Sequence, residues 1–307
     1  MNLREWALPV YTILMELATG AFFIIWLLRS FASRSHNHSL LDSALKNPLS
    51  VIFITASAAM IGAHLHLSKP FYSFLALLNL RSSWLSREIL FNLLFIVFLT
   101  GLLYLQFSES KHYKLKTYIG WFVTLWGWAT IYSMSHIYLL PTQPMWNSFF
   151  TVISFLCTTL LLGFMAMASL LVMDYIYSKE RNLPVVHIQK YLLDNVFSWF
   201  AAGVILMAVI LIVENIYQVF SLERSDSQTA KMSMQLLTQL YPWLFVLRLS
   251  FTSIGAGLFA FSVLWIRLHK LESRKLLVPT YVTCMMIIIG EVLGRFLFYA
   301  THVRIGI

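Results

Sequence analysis

Residues 64–89, HLHLSKPFYSFLALLNLRSSWLSREI, gather ionisable side chains in a chain that is otherwise strongly apolar. The stretch contains His66, Lys69, Arg81 and Glu88 between two apolar segments. A neutral imidazole titrates near physiological pH, and a partly buried carboxylate accepts a proton more readily than one in water. These residue types are typical of a site at which a bound molecule gives up protons.

The residues between these charges form the apolar and aromatic run FYSFLALLNL, which predicts a short helix lying at the membrane interface or dipping into it. Oxidation of a quinol releases two protons with two electrons. Its site therefore needs proton acceptors beside an apolar slot for the ring and the isoprenoid tail. The same residue types equally fit an interfacial loop whose charges are solvated by lipid head groups. The residue types alone leave both interpretations open.

Five further ionisable residues fall inside apolar segments, where each costs about 2.5–3.5 kcal/mol to insert. They are Glu16, Glu214, Arg248, Glu291 and Arg295. Glu291 and Arg295 are four residues apart, hence on one helical face and able to pair, and Tyr299 lies on the same face. This pair either locks helix packing or orients a polar head group. The other three are either relay groups or polar contacts between helices.

The histidines and cysteines do not form a convincing metal site. The histidines near the outer boundary stand at the ends of apolar segments: His64, His66, His136 and His302. A haem b site would place two histidines well inside facing helices. A zinc site made by His64, His66 and Glu88 lacks convergent tetrahedral ligation. Cys157 and Cys284 each stand alone in an apolar segment, as packing residues do.

Membrane-spanning helices must position these groups. Of the 307 residues, 59% are hydrophobic and 11% are charged, whereas a soluble domain carries about 25% charged residues. Eight apolar segments reach the ~20 residues that a helix needs to cross the hydrocarbon core, and the alternation of a β-barrel is absent. The predicted spans are 8–29, 47–67, 88–107, 117–139, 148–173, 194–220, 241–266 and 277–302. The sequence predicts an all-α integral membrane bundle of eight transmembrane helices that forms a single domain over residues 1–307.

The positive charge is unevenly distributed between the two sides of this bundle. The net charge is +9, and most of the Lys and Arg residues lie in the connections between spans 1 and 2, 3 and 4, 5 and 6, and 7 and 8. Because basic residues favour the cytoplasmic side, both termini and residues 64–89 are predicted on the outer, periplasmic side. This arrangement explains the charge without nucleic-acid binding.

Three stretches resemble those of a known family. LHLSKPFYSFLALLNLRSSWLSREI resembles the pattern LHLG-P--AF-----N---S-LS-EI of the membrane anchor subunits of DMSO reductase-type molybdoenzymes. GEVLGRFLFYATHVRIG resembles that family's GE--GR--FY--H---G pattern, and YSMSHIYLLPTQPMW resembles its Tyr…Pro-x-Trp connection after span 4. The resemblance covers essentially the whole chain.

This resemblance implies a haem-free, eight-helix subunit of the bacterial inner membrane that contains no metal and binds menaquinol near its outer face. It implies two extrinsic partners. An iron–sulfur subunit with four clusters contacts the outer face directly, and a catalytic subunit carries the bis-pterin molybdenum cofactor. The chain is then expected to oxidise menaquinol and pass the electrons on, whereas the partner reduces the terminal substrate.

By position, His66 and Glu88 fall on the quinol-site histidine and glutamate of the family and are expected to accept the protons. The expected quinol-binding residues around them are His64, Lys69, Arg81, His136, Glu291, Arg295 and Tyr299. The sequence departs from the family in having Ser68 and Lys69 before the loop proline, where the family has Gly-Ser. It also has Glu16 in place of a glutamine and His136 in place of an arginine.

Several alternatives remain open at this stage. Electrons could flow in reverse, from a dehydrogenase such as formate dehydrogenase to menaquinone, or the protein could be a quinol cytochrome that contains haem b. A transporter or channel would require interrupted helices with polar groups at mid-depth. A purely structural anchor would bind no quinone.

Overall fold

The computed structural model describes residues 3–33, 38–65 and 70–303, and these ranges are helical with no β-strand. Their α-helices are α1 (Leu3–Ala32), α2 (His38–Leu65), α3 (Trp84–Phe107), α4 (Tyr113–Ile137), α5 (Phe149–Glu180), α6 (Val186–Glu223), α7 (Gln228–Gln235), α8 (Pro242–Leu268) and α9 (Leu277–Ala300). A 3-10 helix spans Pro70–Asn79, a π-helical turn spans Leu236–Leu240, and a 3-10 turn spans Ser273–Leu276. The short helix predicted between residues 70 and 81 is therefore present, in the tighter 3-10 form.

Each of the eight predicted spans falls on one long helix: α1 to α6, α8 or α9. Seven helices in the described ranges, all of these except α4, are both long and apolar enough to cross a membrane. Helix α4 has 25 residues and so is long enough, but it begins with the polar sequence YKLKTY. The all-helical membrane bundle is confirmed, whereas the eighth crossing and the outer location of the termini stay predictions.

Helices that follow each other along the chain pack as pairs, α1 with α2, α3 with α4, α5 with α6 and α8 with α9. Helices α1 and α5 are the most buried of the seven apolar helices. They pack against each other, and α1 also contacts α4 and α9. Helix α1 therefore joins the group α1–α4 to the group α5–α9.

Glycines allow α1 to approach its neighbours closely. A Cβ atom on Gly20 would lie 1.9 Å from the carbonyl oxygen of Thr159, and one on Gly163 would lie 2.4 Å from the carbonyl carbon of Gly20. On α4, a Cβ atom at Gly120 would lie 1.8 Å from the ring of Trp26. Small residues at such crossings maximise packing between membrane helices. The centre of the bundle thus depends on the backbones of α1 and α5 touching.

A buried ion cluster joins α1, α2 and α4 at the end of the bundle where α1 ends. The Asp42 carboxylate accepts hydrogen bonds from Arg29 Nε and Lys116 Nζ, each at 2.9 Å. The side chains of Arg29 and Lys116 are each 2% exposed, and Arg29 Nη1 also donates to Thr117. Arg29 and Lys116 are among the basic residues that mark the cytoplasmic side in the sequence analysis. In the structure these two cations also stabilise helix packing.

The Gly20 contact yields a prediction about stability. Replacing Gly20 with alanine would force α1 and α5 apart, and overpacking of this kind costs about 1–3 kcal/mol. We expect Gly20→Ala to lower the free energy of unfolding by that amount in a denaturant titration of the detergent-solubilised protein, followed by circular dichroism.

The matched control is Gly101→Ala on α3, because a Cβ atom there meets no atom within 4 Å. This variant is expected to be as stable as the parent or slightly more stable, since alanine favours helix over glycine. Equal stability of the Gly20 and Gly101 variants would show that the helices do not touch at Gly20.

Candidate functional site

A cavity of about 240 Å³ lies between α1, α2, α3 and α4, at the end of the bundle where α1 and α3 begin. We call this end the Glu88 end. The wall is mainly apolar and includes Leu8, Met60, Leu85, Ile89, Met134 and Ile137. The polar groups on the wall are few: Tyr11, His64, Glu88, Asn92 and Tyr138. An apolar pocket with a few placed polar groups is the usual form of a small-molecule site.

Glu88 is the buried carboxylate of this cavity, with 5% of the residue exposed. Helix α3 begins at Trp84 after the N-cap Ser83, whose side chain accepts the amide of Ser86. The capped start places Glu88 in the second turn. The Tyr11 hydroxyl on α1 donates to Glu88 Oε1 at 2.5 Å.

Asn92 completes this hydrogen-bonded group. It lies one helical turn after Glu88 on α3, and its side-chain amide donates to the Tyr11 hydroxyl at 3.3 Å. Asn92 is itself buried. Tyr11 on α1 thus holds the Glu88 carboxylate directly, and Asn92 on α3 holds the Tyr11 hydroxyl.

His64 is half-buried on the cavity wall at the end of α2. Its Nδ1 lies 2.8 Å from the carbonyl oxygen of Met60. Since a carbonyl only accepts, Nδ1 carries the proton, and in the neutral ring Nε2 is the proton acceptor. The two other groups that the sequence placed beside it, His66 and Lys69, lie outside the described residues.

Arg81 and His136 lie near the Glu88 end but do not line this cavity. Arg81 is exposed, and its carbonyl oxygen accepts a hydrogen bond from Arg87 Nη2 at 2.8 Å. The His136 ring contacts the ring of Trp84 at 4.5 Å between centroids, and its Nδ1 bonds the carbonyl oxygen of Tyr132. The structure thus places His64 and Glu88 on the wall of one cavity. Arg81 and His136 are not part of that wall.

Arg295 and Glu291 contact different partners rather than each other. Arg295 forms its ion pair with Glu16 on α1, and its guanidinium carbon lies 3.5 Å from the centre of the Phe155 ring. Glu291 accepts hydrogen bonds from Thr158 on α5 at 3.0 Å and from Thr252 on α8 at 3.2 Å. The expected pairing within α9 is replaced by contacts that hold α9 against three other helices.

The glycines of the GE--GR pattern provide room for side chains of α8. A Cβ atom on Gly290 would lie 2.5 Å from Thr252 Oγ1, and one on Gly294 would lie 2.5 Å from Arg248 Nε. The motif therefore combines two polar side chains with two positions where any side chain would collide with α8.

Arg248 on α8 lies at the centre of a cluster of polar side chains among α5, α6, α8 and α9. Its Nη1 donates to the Asn215 side-chain oxygen at 2.7 Å, and the Asn215 amide donates to Glu214 at 3.1 Å. Glu214, Arg248, Glu291 and Arg295 line a cavity of about 30 Å³, which holds about one or two water molecules. This polar network has no room for an organic ligand.

Tyr138 links the two regions. It lines the larger cavity, and its hydroxyl lies 2.7 Å from the Tyr299 hydroxyl on α9. The connection between α4 and α5 is tied to the same end of α9, since Trp146 donates to the carbonyl oxygen of Phe298 at 2.7 Å. Tyr299, predicted in the site, therefore lies one contact behind the cavity wall.

The sequence analysis did not identify Tyr11, Asn92 or Tyr138. Asn92 could have been found, because it lies four residues after Glu88 and so shares its helical face. Tyr138 lies in the YSMSHIYLLPTQPMW stretch but was not assigned to the site. Tyr11 carried no comparable signal, because it reaches Glu88 from a different helix.

The described part of the chain holds no group of three or more His, Cys, Asp or Glu side chains that could bind a metal ion. Cys157 and Cys284 are both buried and free.

Comparison with known proteins identifies the family. The family model for the DMSO reductase anchor subunit (DmsC) matches residues 1–301. One subunit of the anaerobic dimethyl sulfoxide reductase of Haemophilus influenzae is 28% identical over 309 residues, which span 100% of this sequence and 98% of the relative. The anaerobic dimethyl sulfoxide reductase protein YnfH of Escherichia coli K12 is 23% identical over 308 residues, which span 99% of this sequence and 96% of the relative.

The family match and the seven apolar helices together identify a multi-pass protein of the bacterial inner membrane. The expectation from the three sequence motifs is confirmed at the level of the family. The cofactors of such a complex belong to the partner subunits. The chain belongs to the DmsC family of DMSO reductase anchor subunits, the membrane anchors of complexes with catalytic and iron–sulfur subunits.

Proposed function

We propose that this protein oxidises menaquinol in the cavity between α1 and α4 and passes the electrons to an iron–sulfur subunit docked at the Glu88 end. The observation that carries the proposal is a mainly apolar cavity with one buried carboxylate, Glu88, held by the Tyr11 hydroxyl at 2.5 Å. A quinol requires this combination, because its ring is apolar and its hydroxyls must lose protons.

The size and position of the cavity support a quinol head group. Its volume, about 240 Å³, lies just below the range of roughly 300–1,000 Å³ for whole ligand sites. Leu85 lines the cavity and is also 48% exposed, and in this proposal the cavity opens to the lipid beside it. The ring fits inside, and the isoprenoid tail then extends into the lipid.

Glu88 takes the role of the first proton acceptor. Tyr11 occupies Oε1, which leaves Oε2 for a hydroxyl of the quinol. The second hydroxyl needs a second acceptor, and Nε2 of His64 is the described candidate on the wall. His66, the residue that matches the family pattern, remains the predicted acceptor in this position, with Lys69 beside it.

The groups behind the wall position Tyr138 rather than the quinol. Tyr299 bonds the Tyr138 hydroxyl, and Arg295, one turn earlier on α9, is fixed by Glu16. In this proposal Glu291, Arg295 and Tyr299 hold the wall of the site. Arg81 and His136 lie near the cavity opening and would contact the iron–sulfur subunit or the lipid head groups.

The electrons leave through the partner subunits. The iron–sulfur subunit, proposed to carry four clusters, accepts single electrons and delivers them to a molybdenum bis-pterin cofactor in the catalytic subunit. Both relatives belong to dimethyl sulfoxide reductases, and we propose dimethyl sulfoxide or a related oxide as the terminal acceptor. Protons and electrons then leave the quinol at the same end, so this step builds no membrane potential by itself.

Replacing Glu88 with glutamine tests the proton acceptor. The amide keeps the shape of the side chain but cannot take a proton. A lost acid–base group typically costs 10²–10⁴-fold in rate. We therefore expect Glu88→Gln to reduce menaquinol-dependent reduction of dimethyl sulfoxide by the assembled complex at least about a hundredfold.

Two controls make this result specific. Reduction of dimethyl sulfoxide by the same complex with a soluble dye as electron donor should be unchanged, because it bypasses the cavity. Glu223→Gln removes an exposed carboxylate at the end of α6 and should leave both activities unchanged. Menaquinol-dependent activity that persists in Glu88→Gln would exclude Glu88 as the acceptor.

Replacing Tyr11 with phenylalanine tests the group that holds this carboxylate. The substitution removes one hydroxyl and leaves the ring that packs against the cavity. We expect menaquinol-dependent kcat to fall about ten- to a hundredfold, since a net hydrogen bond to a charged group is worth about 1.5–3 kcal/mol.

The dye-dependent rate of Tyr11→Phe should equal that of the parent. The matched control is Tyr104→Phe, because Tyr104 is an exposed tyrosine on α3. A Tyr11→Phe complex with normal menaquinol kinetics would show that the Tyr11 hydrogen bond does not orient the reacting carboxylate.

A further inference from the structure

A second large cavity lies at the opposite end of the bundle, between α5, α6, α8 and the 3-10 turn Ser273–Leu276 that precedes α9. Its volume is about 550 Å³, more than that of the cavity beside Glu88. It stands where four apolar helices end or begin: α5 and α8 end there, whereas α6 and α9 begin. This position corresponds to the boundary between the hydrocarbon and the head groups.

The rim of this cavity is basic. Its charged residues are Lys179, Lys190, Arg267, Lys270, Asp194 and Glu272. Four cations face two anions, so the rim carries a net positive charge. The cavity therefore attracts an anionic group.

Two of the four cations are already engaged. Lys179 forms an ion pair with Glu272, and Arg267 donates to the Ser198 hydroxyl. Lys190 and Lys270 are exposed and have no ion-pair partner within the part of the chain that the structure describes. Their charges are available to a ligand in the cavity.

Part of the cavity lining is apolar. The buried residues Leu193, Phe197, Val263 and Leu276 contribute to it, each at most 6% exposed, together with the half-buried Ile266 and Leu271. Next to the cavity, Trp265 is 49% exposed and contacts the ring of His269, as aromatic residues commonly do at the membrane interface. A small inorganic anion would pair with the lysines but would leave the apolar part of the lining uncovered.

We propose that this cavity binds an anionic phospholipid, with the phosphodiester of its head group between Lys190 and Lys270 and its acyl chains against the apolar part of the lining. Basic pockets between membrane helices bind such head groups because lysine and arginine neutralise the phosphate. The lipid fills the gap between α5, α6 and α8.

Native mass spectrometry of the full-length protein in detergent tests this proposal. The protein is presented with phosphatidylglycerol or with phosphatidylethanolamine at equal concentration, and in a separate arm with inorganic phosphate. We expect a retained adduct with phosphatidylglycerol, an adduct with phosphatidylethanolamine at least about tenfold less abundant, and no phosphate adduct.

Paired variants locate the binding site. Lys190→Gln/Lys270→Gln should weaken phosphatidylglycerol binding about tenfold or more, and Lys190→Arg/Lys270→Arg should retain it. Lys111→Gln/Lys114→Gln removes the same charge from two exposed lysines, Lys111 before α4 and Lys114 in its first turn, and should leave binding unchanged. Both lysine pairs are exposed, and equal thermal unfolding midpoints would verify that all variants are folded.

Three results would overturn the proposal. Equal retention of the two lipids would show that charge does not select the ligand. An equal loss in both Lys→Gln pairs would show that general surface charge, not this cavity, binds the lipid. A phosphate adduct that displaces phosphatidylglycerol would identify a site for a free anion instead of a lipid.

Discussion

A polar side chain inside hydrocarbon must find its partner within the protein, and the arrangement of this bundle follows from that constraint. Three polar side chains along α1 find such partners on other helices. The pairs are Tyr11 with Glu88, Glu16 with Arg295, and Arg29 with Asp42. Removing one partner of a buried ion pair leaves an uncompensated charge, which costs about 3–5 kcal/mol. These contacts therefore hold α2, α3 and α9 around α1.

The close contact of α1 with α5 separates two kinds of interior. On the α1–α4 side, one buried carboxylate faces an apolar cavity large enough for a ring. On the α5–α9 side, the polar groups satisfy one another around space for one or two water molecules. Tyr138 and Tyr299 connect the two sides. This contrast supports a ligand site on one side and a rigid support on the other, although both sides contain buried charges.

The two cavities proposed as ligand sites lie at opposite ends of the bundle and differ in charge. The cavity proposed for menaquinol has an acidic group at its wall, which suits a molecule that loses protons. The cavity proposed for an anionic lipid has a basic rim, which suits a phosphate. If both proposals hold, one end passes electrons to the extrinsic subunits and releases protons, and the other end anchors the protein to lipid.

The sequence by itself determined the family, the helical membrane class and the approximate limits of the helices. Span length and apolar composition are local properties, and the motifs around Glu88 and Arg295 can be compared position by position. Helical periodicity could also have placed Asn92 beside Glu88. Only the tertiary structure decided which helices supply the partners. Glu88 meets a tyrosine 77 residues away, and Arg295 pairs with a glutamate 279 residues away rather than with Glu291. Periodicity shows which residues share one face of a helix, but the packing of helices decides what that face contacts.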